Sequence, residues 1–202
     1  MIHVLGPKDK QKIAALKASG IHEVNTTSMV HSGLSPFLLG PVALYQDHVA
    51  LRMENGWQYS KVYPEHLDEH GDPSQEYFRW AKTGWAKNRA ERHPMGKLQR
   101  PAYSWWDGRK LGYIDARKQI YLPLYAIAVA RTKTYAELKE MYQKYHELIL
   151  WDYDAYDHRA VNMSYTDVLN RPDRIMGHAF ILAMMLQERE SVISYITAFS
   201  AR

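Results

Sequence analysis

Apolar and polar positions recur along this chain with two periods, and the changes between them mark its elements. Lys8–Ser19 mixes Lys and Gln with Ile13, Ala14, Leu16 and Ala18, which predicts a short amphipathic helix with Gly20 placed to end it. Ile21–Thr26 alternates with a β-branched bias and predicts a strand. Ser32–Pro41 holds two Gly and two Pro and predicts mainly loop. Val42–Tyr45 and His48–Met53 fit a hairpin around Gln46-Asp47, and a helix beginning near Glu54 follows, weakened by Gly56 in its first turn. Pro64–Ser74 is polar and loop-like. Gln75–Arg92 then places Tyr77, Phe78, Trp80, Ala81 and Trp85 in one helical stripe, with Gly84 a candidate break.

Downstream, His93–Asp107 is punctuated by Pro and Gly and predicts irregular chain, with Tyr103, Trp105 and Trp106 covering the core or lining a pocket. Gly112–Arg131 is helical in pattern, with Pro123 expected to kink it or mark a first turn. Thr134-x-x-Glu137 reads as a capping box for a helix whose apolar side is Leu138, Met141, Tyr142 and Tyr145. Leu148–Trp151 is a continuous apolar run fit for a buried strand, and Asp152–Asn162 a loop at its end. Ser164-x-x-Asp167 opens a short helix that Pro172 stops. Met176–Glu188 is the most apolar helix, and Ser191–Phe199 fits a last strand or helix end. The expected fold class is α+β: a predominantly helical single domain, 1–202, around a small sheet.

Composition narrows this only a little. With 202 residues, 46% apolar and 24% charged, the chain can bury a sizeable core. It has no Cys, which excludes disulfides and thiolate metal sites and fits a reducing compartment. No N-terminal stretch resembles a signal peptide, and the longest apolar run, Ala179–Leu186, is far short of a membrane span. The expectation is a soluble cytoplasmic protein without a membrane partner. The formal charge of +4 is mild, but Lys82, Lys87, Arg89, Arg92, Lys97 and Arg100 crowd one segment with Trp80, Trp85 and His93. Such interleaving can hold phosphates and stack bases, so nucleic acid stays open as a partner beside the plainer reading of a solvated surface.

The most informative stretch is Met53–Tyr63, MENGWQYSKVY. Glu54, Gln58 and Lys61 fall at i, i+4 and i+7, one face if the helix runs through them. A carboxylate can serve a reacting sugar carbon, an amide its hydroxyls or a base edge, and an ammonium a phosphate. A solvated helix face is the plain alternative. Asp152, Asp154, Asp157 and His158 form a second polar cluster, but the Gly and closing Glu of a calcium loop are missing. No Gly-rich nucleotide loop is present. His146, His158 and His178 each read as structural.

Upstream stand Ser35 and Phe37, as S-x-F, and Pro41-Val42; then come Glu54, Gln58 and Lys61 as E-x-x-x-Q-x-x-K. In that order these resemble the NADAR superfamily, the YbiA-like N-glycosidase fold. The likeness spans about residues 21–190. It is weaker at Asp154-Ala155-Tyr156 and Met176-Gly177-His178, and the family's Trp-Gly pair is replaced by Asp157-His158-Arg159. The segment of about 64–112, aromatic and basic, is insertion-like against that pattern. The resemblance implies a hydrolase that cleaves the N-glycosidic bond of a ribosylated or ADP-ribosylated base, either a small nucleotide-like molecule or a nucleobase adduct. Glu54 and Asp154 would be its catalytic carboxylates, with Asp152 and Asp157 as competitors for the second place. Phe37, Trp57, Gln58, Lys61 and Tyr156 would hold the ligand, without metal or cofactor. The alternative on the same fold is a non-catalytic module that binds ADP-ribose, NAD or nucleic acid.

Overall fold

The computed structural model describes residues 1–200, and its chain order begins with a strand the periodicity did not predict, β1 (Ile2–Leu5). α1 (Lys10–Ala18) follows; it ends as expected, with Gly20 at φ +85°, but lies on the surface without a buried residue. Next come β2 (His22–Asn25) and a 3-10 turn over Met29–Leu34. β3 (Val42–Ala43) and β4 (Val49–Ala50) form the expected hairpin, shorter than its sequence limits, with Val42 opposite Ala50.

α2 (Met53–Gln58) is only six residues long, and Lys61 lies beyond it in β5 (Lys61–Val62). α3 (Gln75–Trp85) is capped by Ser74 and stops well before Arg92. Gly84 does not break it. A Cβ there would meet the Tyr59 ring at 2.0 Å, so glycine is what lets helix and ring touch. The segment expected to be irregular contains β6 (Tyr103–Trp106), hairpin-paired with β7 (Arg109–Leu111) around Asp107-Gly108, both at positive φ. Asp-Gly is a turn pair suited to such a hairpin. β6 also pairs with β5, Lys61 opposite Ser104, and Trp85 and Trp106 join the common core. The 64–112 segment is thereby stitched into the domain.

α4 (Tyr113–Ala116), a π-turn over Arg117–Tyr121 and α5 (Leu122–Val129) run on continuously. The Leu122 amide reaches back five residues to the Arg117 carbonyl, so Pro123, which has no amide to offer, sits just past a widened turn. α6 (Lys133–Tyr145) is capped by Thr132 rather than by the Thr134 box. β8 (Leu148–Trp151) lies between β1 and β2 and runs parallel to both. That position buries Leu148, Ile149 and Leu150 completely and explains their unbroken apolar run. Ser164 and Asp167 make the expected capping box of α7 (Tyr165–Asn170). α8 (His178–Gln187), buried from His178 to Met184, packs on the sheet and on α5. α9 (Arg189–Ser200) is a helix, not a strand. The fold is thus α+β, mostly helical around small sheets. Among the described residues no helix is long and apolar enough to cross a membrane.

Candidate functional site

Two concavities flank the 32–43 segment. The larger, about 780 Å³, is lined mainly by apolar and small residues, with Arg131 the one charged residue among the described residues lining it. The other, about 680 Å³, gathers Glu54, Asp152, Asp154, Lys61, Arg92, Arg117 and His178. Its titratable groups make it the candidate site despite its smaller size.

α2 forms its floor. The first amides of a helix lack partners within it, and here the preceding loop supplies them. Met53 N–H donates to the Leu39 carbonyl at 2.8 Å, and Glu54 N–H to that of Pro36 at 3.0 Å. Gly56 lets the helix sit against Leu44, Ala50 and Leu124. The loop that anchors the helix also carries Phe37 to the mouth of the cleft, where Met29, Leu38, Tyr113, Tyr153 and Ile175 are likewise exposed.

Glu54 is 5% exposed, and so is Gln58. Gln58 Nε2 donates to Glu54 Oε1 at 2.7 Å, and half-buried Lys61 donates through Nζ to Gln58 Oε1 at 2.6 Å. The carboxylate only accepts and the ammonium only donates, so the amide between them has one orientation. Lys61 reaches this row from β5, not from the helix. Its Nζ also lies 4.8 Å from the Trp57 ring centre. Burial raises the Glu54 pKa above the usual carboxylate range; the Gln58 hydrogen bond, Lys61, Arg92 and His178 offset that in part. Burial lowers Lys61 to about 8, opposed by Glu54 and assisted by Arg92.

Asn55, fully buried, does a different job. Its amide donates to the Lys87 and Arg89 carbonyls and accepts from Glu91 N–H at 2.8 Å. This fixes the stretch after α3 and delivers Arg92 to the cleft rim, where it pairs with Asp154 at 2.5 Å. The pair is substantially exposed, so opening it costs about 0–1 kcal/mol. Burial, Arg92 and Lys61 hold neighbouring His93 below the ordinary imidazole range.

Asp152, 3% exposed, accepts from the amides of Asp154 and Ala179 and faces His178 Nδ1 at 3.1 Å, while His178 Nε2 faces the Thr26 carbonyl at 3.2 Å. It holds the start of α8 against the end of β8. A Cβ on Gly177 would lie 2.3 Å from Asp152 Oδ2, so this approach requires glycine.

Of the residues singled out in the sequence, Glu54, Asp154, Phe37, Trp57, Gln58 and Lys61 line this cleft. Tyr156 does not. It turns toward α8, 5.1 Å from the Phe180 ring centre, with the Arg174 guanidinium 4.7 Å over its ring. Asp157 pairs with Lys12 and His158 stacks on Tyr165, so the acidic cluster is dispersed. Among the described residues no three His, Asp or Glu converge as metal ligands. Sequence reasoning offered Arg92 only as one of the basic residues of the 82–100 segment that could join Lys61 at a phosphate, and it missed Arg117, Tyr121 and the Asp152–His178 pair. Only Tyr113, Arg117 and Tyr121, spaced four apart, carried a signal that could have been used. No protein-family model, curated protein or solved structure matches this chain.

Proposed function

We propose that the chain is an N-glycosidase of the NADAR kind, a hydrolase acting on a ribosylated or ADP-ribosylated base. The observation that carries this is the buried Glu54–Gln58–Lys61 row on the floor of a cleft large enough for a nucleotide. Hydrolysis adds water to the anomeric carbon, breaks its bond to the base nitrogen and returns a proton to the base. The sugar passes through an oxocarbenium-like state. A carboxyl whose pKa is raised by burial is suited to exchange that proton, and once ionised it stabilises the positive sugar. Gln58, fixed between two partners, keeps Glu54 in one position. Lys61 and Arg92 supply positive charge for a phosphate, with Arg92 exchanging Asp154 for the ligand.

That exposed ion pair also favours a second reading. With Asp154 neutralised by Arg92, only Glu54 is placed to act on a sugar, as in a module that binds ADP-ribose or NAD without turnover. The experiment that separates them incubates the protein with ADP-ribosylated guanine DNA, NAD and a panel of ribosylated bases, and follows free base by chromatography. Release by wild type that Glu54→Gln abolishes supports the hydrolase. Tight binding of ADP-ribose without release supports the module. Neither release nor binding rules out both.

A further inference from the structure

One wall of the cleft is a stripe of the α4–α5 helix: Tyr113, Arg117 and Tyr121 all line it. On a regular α-helix each four-residue step overshoots a full turn by about 40°. The π-turn at Arg117–Tyr121 widens the helix there and keeps all three on the cleft side. Such turns are frequent at functional sites.

Arg117 is fully engaged with protein. Its Nη1 donates to the carbonyls of Val168, Leu169 and Arg171, and its Nη2 to the Tyr113 hydroxyl and the Arg174 carbonyl, all within 2.7–3.2 Å. It pins the chain leading to Ile175, Met176 and Gly177. Tyr121 differs. Elsewhere in the structure the buried hydroxyl of Tyr125 donates to the Leu34 carbonyl at 2.7 Å and that of Tyr77 to those of Tyr59 and Ser60, while those of Tyr45 and Tyr156 are sealed in without a partner; the Tyr121 side chain instead lines the cleft. The Tyr121 ring packs on Trp57 and Tyr125, yet among the described residues no hydrogen bond holds its hydroxyl. Burial keeps that hydroxyl protonated, reinforced by the charges of Glu54, Asp152 and Asp154 around it.

We infer that the Tyr121 hydroxyl is a ligand-positioning donor that holds a neutral sugar oxygen beside Glu54. Lys61 and Arg92 are the cations of this cleft whose side chains can turn to a ligand, whereas Tyr121 offers a neutral donor in the cleft it shares with Glu54, so the phosphate end of a ligand belongs at Lys61 and Arg92 and the sugar at Tyr121. This assignment rests on the ribosyl reading above.

The test compares wild type with Tyr121→Phe by calorimetry, using ADP-ribose and inorganic pyrophosphate as probes, alongside thermal melts. The variant loses no protein hydrogen bond and should melt as wild type does. Its ADP-ribose affinity should fall about fivefold or more, as for one lost hydrogen bond, while pyrophosphate affinity stays unchanged. Unchanged ADP-ribose affinity overturns the role of Tyr121 and leaves the ribosyl reading standing. Equal weakening of both probes, with or without a lower melting temperature, also overturns it, because the ring would then be structural. Wild type that binds no ADP-ribose removes the ribosyl reading and this inference together.

Discussion

Glu54 combines two costs that normally exclude each other: it is buried, and it titrates. Because its pKa is raised, the native state holds the proton more tightly than the unfolded chain does. Its contribution to stability is full at low pH and is lost as pH rises past the ordinary carboxylate value. Glu54→Gln should therefore raise the melting temperature at pH 7. The gain should vanish near pH 4. The same variant should lose on the order of a hundredfold or more in turnover while keeping ligand affinity, since the charge matters most in the transition state. Paired melts and kinetics check both, and a variant that is neither more stable nor slower would move the chemistry away from Glu54. Lys61 titrates in the opposite sense. Held at about 8, it keeps its proton less well than the unfolded chain, so its contribution to stability rises between pH 8 and 10.5. Affinity for phosphorylated ligands should fall as pH passes about 8. Lys61→Ala should abolish that pH dependence and weaken phosphorylated ligands far more than their dephosphorylated forms. A titration at several pH values decides it. The spacing of Glu54, Gln58 and Lys61 was legible because all three lie within eight residues. Arg92 was not legible as a partner of Asp154, 62 residues away, because Asn55 fixes its position through backbone carbonyls.

At the scale of elements, legibility followed how far each segment is decided by its own residues. Leu148–Trp151 was readable because a central parallel strand must be apolar on both faces. The Ser164 box was readable because capping is local. β1, four residues long, carries too little pattern alone and is a strand only because β8 pairs with it. The β6–β7 hairpin was hidden by Pro, Gly and Trp, although Asp107-Gly108 marked its turn. Gly84 read as a helix breaker when it is a contact. Gly84→Ala should drive Cβ into Tyr59, displace a ring also held through its hydroxyl by Glu91 and Lys87, and cost about 1–3 kcal/mol. Thermal unfolding measures this. A variant as stable as wild type would mean that α3 and Tyr59 shift apart freely.

At the scale of the whole molecule, the cleft draws on Thr27 at one end of the chain and His178 at the other. The central sheet has the same reach, with Val4 and Val24 both registered on Leu150. Leu150→Ala should cost about 2–5 kcal/mol and lower ligand affinity with it, since Asp152 and Asp154 follow directly on that strand. A loss of stability without any loss of binding would separate sheet from site. This parallel arrangement also sets a timetable for synthesis. The two outer strands leave the ribosome before β8, the strand they both pair with among the described residues, which begins more than 120 residues behind β2 and more than 140 behind β1. At about 5–20 residues per second they wait roughly 6–30 s with unpaired edges, an interval in which a nascent chain of this design is open to association along its strand edges.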